Sequence, residues 1–343
     1  MGPARYLVRR LATAVLSVLG LAAIVFAMLK VIPGDEAQVA AGEGATPEQV
    51  AAMRATLGLD DPWIVQFGRF LARLAHGDLG TSTATRQPVA TDIATVLPGT
   101  LELALFALVL ALLVAVPLAT VAAARRGGAA DGASRIAVIV LAGLPTFWLA
   151  LLLQWVLGAQ LRLLPISGRL SVDLEVPRVT GMTLVDSLIA GNGYAFYDGL
   201  QHLLLPAACL AVPVAAQLFR VLRAELVSVL SREHVLVATA KGVPTGRLLR
   251  RHALPNAAGP LLTLTGLEAG ILLASAVLVE SIFGLSGVGA YLQNAVDQRD
   301  LPAVLGCVVV LGSVVVGVNL VVDIVQMVRD PRIRSAQLQA VPA

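Results

Sequence analysis

Six stretches of the chain run uncharged, or with a single charge, over about the length that crosses a bilayer. They cover residues 11–29, 103–124, 136–158, 203–219, 257–279 and 301–322. A helix needs roughly 20 mostly apolar residues to cross ~30 Å of hydrocarbon. The run at 203–219 is the shortest, and the one at 257–279 is interrupted only by Glu268. The pattern predicts an all-α integral membrane protein with six transmembrane helices. The first run follows Arg5, Arg9 and Arg10, as the core of a signal peptide would, but it exceeds the ~7–15 residues of such a core and reads as a retained span.

Between the runs, the polar segments differ in kind. Residues 33–99 are too long for a turn. Thr46-Pro47-Glu48-Gln49 has the spacing of a capping box, with Thr46 as N-cap, proline in the first turn and Gln49 reaching back. Asp61-Pro62 repeats the cap-then-proline signal. Trp63, Phe67, Phe70, Leu71 and Leu74 then recur at helical spacing until Gly77. Such a stripe suits a helix on the membrane surface or packed on the outer ends of the spans. Residues 159–202 are mixed and dotted with Gly and Pro. Residues 185–195 are too short and polar to span.

Charge sets the orientation. Most of the 25 basic residues fall at the N-terminus (Arg5, Arg9, Arg10), between runs two and three (Arg125, Arg126, Arg135), between runs four and five (Arg220, Arg223, Arg232, Lys241, Arg247, Arg250, Arg251) and after run six (Arg329, Arg332, Arg334). Basic loops stay in the cytoplasm, so both termini are expected inside. Only 14% of the residues are charged and 57% are hydrophobic, where soluble domains carry about 25% charged residues. A formal charge of +3 argues for no nucleic-acid partner. Cys209 and Cys307 lie in apolar runs and suggest neither a disulfide nor a metal site.

The loop between runs four and five carries the clearest local signal. Glu233 to Ala240 reads as a short helix and Gly242 as its left-handed stop. Thr245 is placed to cap a second helix, and Pro255 to end it. Arg247, Arg250 and Arg251 share one face of that helix, at i, i+3 and i+4.

This loop resembles the cytoplasmic coupling motif of binding-protein-dependent ABC importer permeases. Ala238, Gly242, Leu254 and Pro255 match it. His252 stands where isoleucine is usual, and Leu236 and Val237 replace the opening Glu-Ala pair. The wider chain, from about Arg5 to Arg334, resembles the B-type permease of the dipeptide, oligopeptide and nickel branch. The segments that carry this are His76-Gly77-Asp78-Leu79-Gly80, Leu97-Pro98-Gly99-Thr100-Leu101-Glu102-Leu103, Gly143-Leu144-Pro145-Thr146-Phe147-Trp148, Val279-Glu280-Ser281-Ile282-Phe283, Val318-Asn319-Leu320-Val321-Val322-Asp323 and Asp330-Pro331-Arg332-Ile333-Arg334. One departure is Ser286, where the family usually has proline.

The resemblance implies a type I importer permease fold. Residues 1–98 would form the first transmembrane helix and an extracytoplasmic helical loop. Residues 99–334 would form a five-helix core with a coupling loop at 220–256, and 335–343 a tail. It implies half of a translocation path for di- or oligopeptides in the inner membrane. Ala238, Gly242, Arg247, Arg250, Arg251, Leu254 and Pro255 would couple to an ATPase. The implied partners are a homologous second permease, two cytoplasmic ATPase subunits or domains and an extracytoplasmic substrate-binding protein, besides membrane lipid. ATP and Mg would bind the ATPases, and this chain would hold no cofactor. Other readings are a nickel or small-solute importer permease and a self-sufficient secondary transporter.

Some chemistry is missing from the sequence. No Gly-Lys pair exists for a phosphate-cradling loop, and no His or Cys cluster marks a metal path. Gly284-Leu285-Ser286-Gly287 resembles the serine segment of an intramembrane protease, but no histidine follows His252 to serve as base. Within the spans, Glu268 sits near the middle of the fifth. An acid there costs about 2.5–3.5 kcal/mol on insertion scales and usually faces a cavity or partner. Glu268 and Asn319 are therefore candidates for the translocation path, though Asn319 equally suits interhelical contact. Glu102 and Asp323, near span ends, are expected at the solvated interface.

Overall fold

A computed structural model describes residues 3–31, 36–42 and 44–329, so the expected closing motif at 330–334 and the tail lie outside the described residues. The first span is α1 (Pro3–Val31). It is followed by α2 (Glu36–Ala41), α3 (Pro47–Leu57) and α4 (Trp63–Ala75). Helix α3 opens as expected: Thr46 accepts from the Gln49 amide while the Gln49 side chain accepts from the Thr46 amide. Helix α4 does not use Asp61 as its cap; that side chain pairs with Arg69 at 2.5 Å instead. Phe67 and Phe70 turn toward Phe26 of α1, with ring centroids 5.3 and 5.8 Å apart. Trp63, of the same stripe, is exposed.

Four further helices are long and apolar enough to cross a membrane. They are α5 (Val89–Ala124), α9 (Gly193–Leu230), α12 (Leu254–Ile282, reached through residues 245–253) and α14 (Leu301–Arg329). Two of these begin well before their uncharged cores. Helix α5 starts at Val89, so the boundary expected after residue 98 falls inside a continuous helix and the outer loop is shorter than expected. Val89 and Ile93, one turn apart, are buried beside Val288, Ala303 and Cys307. That packing extends the helix through Pro98. Proline is tolerated in membrane helices, where neighbours satisfy the backbone groups it frees. Helix α9 begins at Gly193 because Asn192 caps it and Asp198 is held by the Ser171 amide and hydroxyl at 2.8 and 2.7 Å.

The expected third span is not one straight helix. It is α6 (Ala129–Ala142) followed by α7 (Thr146–Leu153), which continues in π-helical geometry to Gln160. The two halves are bent by 103° at Gly143-Leu144-Pro145. Counting this pair as one span makes six.

Helix α9 is the most enclosed of the spans and α1 the least. It packs most extensively against α5, which turns inward a stripe of Ala107, Ala111, Ala115, Ala119 and Ala122. Small residues four apart let two backbones approach closely in a membrane, where there is no hydrophobic drive to bring helices together. The opposite face of α5 shows Leu105, Val109, Leu113 and Leu118 outward. Helix α1 lies on α14, where Gly312 admits Leu21 and Arg10 pairs with Asp323 at 2.9 Å. Asp323 thus holds two helices together rather than resting free at the interface. Short helices α8 (Thr183–Ile189) and α13 (Val288–Asp297) cover one end of the bundle. At the other end lie α10 (Glu233–Ala240) and α11 (Thr245–Leu248).

Candidate functional site

The arginine-rich loop folds as helix, stop, helix. Helix α10 ends in a Schellman motif: the Gly242 amide donates to the Thr239 carbonyl at 2.9 Å and the Val243 amide to the Ala238 carbonyl at 3.2 Å. Gly242 takes φ +81°, the left-handed conformation that only glycine adopts freely. Ala238 therefore serves the stop through its carbonyl. Buried Val235 anchors α10 to the bundle.

The second half departs from expectation twice. Thr245 is not a cap but the first residue of α11; Pro244 occupies the cap position without a side-chain bond. Pro255 does not end the helix. Residues 249–253 adopt one π-helical turn, the Leu254 amide donates to the Leu249 carbonyl, and Pro255 sits in the first turn of α12. Proline lacks the N–H an unbroken helix would use, and the widened turn before it lets the chain continue into the span. Leu248, Leu249 and Ala253 are buried against the core. Arg247, Arg250 and Arg251 are all exposed, and among the described residues none has an ion-pair partner. Nearby, Arg223 of α9 grips Asp131 of α6 with two bonds of 2.6 Å.

At the opposite end, an ionic cluster closes the bundle. Glu102 of α5 is buried, not solvated at the interface as expected. It accepts from the Thr183 and Leu184 amides at 2.9 and 2.7 Å, and Arg169 lies 3.5 Å away. Arg169 also donates through Nε to the Ser286 carbonyl at 3.1 Å. Glu280, fully buried on α12, accepts from the Gly289 amide at 2.7 Å. The Val288 amide donates to Thr100 at 2.8 Å. Gly99 and Gly287 make room for this cluster: a side-chain carbon at either would collide with the Arg169 guanidinium or the Glu280 carboxylate. The turn that presents the Thr183 and Leu184 amides is itself held by Asp186, which accepts from the Thr180 amide and hydroxyl and the Gly181 amide at 2.7–2.9 Å. Burial raises the Asp186 carboxyl, but these bonds outweigh it and hold the group below the ordinary carboxylate range. The turn is therefore firm at neutral pH, and loses that support as pH falls through the lowered value. Sequence alone marks Glu102 and Glu280 as acids in apolar segments. It gives no sign that Arg169, distant in the chain, reaches Glu102.

Between the two ends, a cavity of about 210 Å³ lies at the break between α6 and α7. Thr146, Leu210, Pro213, Gln217, Glu268 and Ser275 line it. Glu268 is the midpoint of α12 and is buried. Asn319 is not there. Gly266 and Gly270 of α12 face Val322 and Val315 of α14, and Asn319 shares that helix face. Glu268, two residues from each glycine, points the other way.

A helical membrane bundle with a broken span, a mid-membrane acid and an exposed basic helical unit on one end fits a transport permease. The chain belongs to the family described as binding-protein-dependent transport system inner membrane component, which matches residues 115–335, with the family's N-terminal region matching 3–104. It is 42% identical to the probable D,D-dipeptide transport system permease protein DdpB of Escherichia coli K12, over 93% of this chain and 94% of that one. It is 35% identical to the dipeptide transport system permease protein DppB of Alkalihalophilus pseudofirmus OF4, over 96% and 99%. With DppB of Escherichia coli K12 it shares 36% identity over 96% and 98%. The chain is thus a multi-pass inner-membrane permease subunit of an ABC importer, not an enzyme, and works as one part of a transporter complex.

Proposed function

We propose that this subunit forms half of the translocation path of an ATP-driven importer of di- or oligopeptides. The peptide assignment rests on the relatives, whose names specify dipeptide or D,D-dipeptide transport. A homologous permease would complete the path, an extracytoplasmic binding protein would deliver the solute, and two ATPase subunits would bind ATP and Mg. The basic end would face the cytoplasm, placing both termini inside.

The observation that carries the coupling role is the unit from Glu233 to Pro255. Its buried Val235, Leu248 and Leu249 fix it to the bundle, while three exposed arginines face outward. Through the π turn it runs without a break into α12, the helix that holds Glu268. A push on the loop is therefore delivered to the middle of the path by a stiff element. Ala238, Gly242, Arg247, Arg250, Arg251, Leu254 and Pro255 take part as contact or as scaffold. The ATPases shift the permease between states only through different affinities for them. The first helix and the outer segment up to the start of α5 at Val89 would serve as an accessory unit, and the helices from α5 onward as the transport core.

The test is uptake of a radiolabelled dipeptide by the complete transporter in proteoliposomes. Uptake that needs both ATP inside and the binding protein outside supports the proposal. ATP-dependent uptake of nickel but not peptides would contradict the substrate class.

A further inference from the structure

Seven acids are buried among the described residues: Glu102, Asp131, Asp186, Asp198, Glu268, Glu280 and Asp300. Six have donors. Those of Glu102, Asp131, Asp186, Asp198 and Glu280 are described above, and Asp300 accepts from Ser82 and from the amides of Ala84 and Ala303. Glu268 alone has neither a hydrogen bond nor an ion pair, although it is only 7% exposed. A buried carboxylate without a partner is costly, and such groups are kept in membrane helices where they meet a ligand or a path.

The space in front of Glu268 is not dry packing. The cavity has room for about seven waters at ~30 Å³ each, and its wall includes Gln217, Thr146 and Ser275. Thr146 opens α7 directly after the 103° break, and the amides of its first turn have no side-chain cap and no backbone acceptor. The cavity thus has an acidic wall at Glu268 and, at Thr146, borders the partly positive start of α7. Broken half-helices facing a mid-membrane site present their amides to anionic groups of a solute.

We propose that this cavity is a peptide-terminus site, in which Glu268 receives the α-ammonium group of a short peptide in transit and the first turn of α7 faces its carboxylate. An extended dipeptide spans about 7 Å, which suits a cavity of this size. The inference rests on the peptide-import reading and adds the atoms that meet the substrate.

The test is saturation-transfer NMR on the complete permease–ATPase complex in nanodiscs, without binding protein. The probes are dialanine and N-acetyl-dialanine at millimolar concentration. Wild type is expected to give a dialanine signal that falls at least about fivefold on N-acetylation and equally with Glu268→Gln. Glu268→Asp, which keeps the charge, is expected to retain part of it. No dialanine signal in wild type, or equal signals for the two probes or for Glu268→Gln, would overturn the site. Failure of the import reading shows separately, as wild-type proteoliposomes with binding protein that take up no peptide.

Discussion

At Gly242 nothing lies within 4 Å of where a side-chain carbon would stand, so a substitution there meets a conformational penalty and no clash. For a β-branched residue in the left-handed region that penalty is about 1–2 kcal/mol. Gly242→Val is expected to leave insertion and expression normal but to cut peptide uptake per ATP hydrolysed about tenfold, while Gly242→Asn, which tolerates this conformation, keeps most of it. Normal uptake by the valine variant would remove Gly242 from coupling. Arg169 makes the opposite case, since its removal empties a crowded place. Arg169→Met would leave Glu102 buried without its cation, a loss of about 3–5 kcal/mol for a broken buried pair. The thermal unfolding midpoint in detergent should drop clearly, whereas Arg162→Met, at an exposed position of the same loop, should leave it unchanged.

The helices were legible wherever apolar length alone decides them. Five of the six uncharged runs lie in helices long and apolar enough to span and the sixth in the bent pair, and the capping box at Thr46 and the stop at Gly242 have the expected geometry. Direction was less legible than length. Apolar composition is the same on both sides of Gly143-Leu144-Pro145, so the run reads as one span although the chain turns by 103° there. Pro255 misleads in the opposite sense, because a π turn absorbs a break that proline normally enforces. Long-range contacts such as Arg169 with Glu102 leave no periodic trace. The alanine stripe of α5 was present in the sequence, but only the packing of α9 against it gives it meaning. Ala115→Leu should overpack that seam and cost about 1–3 kcal/mol, read as a lower unfolding midpoint. Leu113→Ala, on the outward face, should change it little.

The whole molecule has two functional ends joined by stiff elements. One end offers exposed arginines, unpaired among the described residues, on a helix that leads directly into the membrane. The other is closed by Glu102, Arg169 and Glu280 beneath a cover of short helices. Between them lies a cavity that Glu268 faces without a partner among the described residues. Leu267 and Ile271, on either side of Glu268 in α12, point outward at 57% and 55% exposure, so the cavity borders a face that the proposed second permease would complete. This chain is expected to work only as part of an ATP-driven complex. Purifying the tagged chain from its native membrane in mild detergent, and identifying by mass spectrometry what comes with it, puts this to the test. The expected companions are two ATPase subunits, or a close pair, together with a second, homologous permease. A stable monomer or homodimer free of any ATPase would contradict it and leave the exposed arginine unit without a partner.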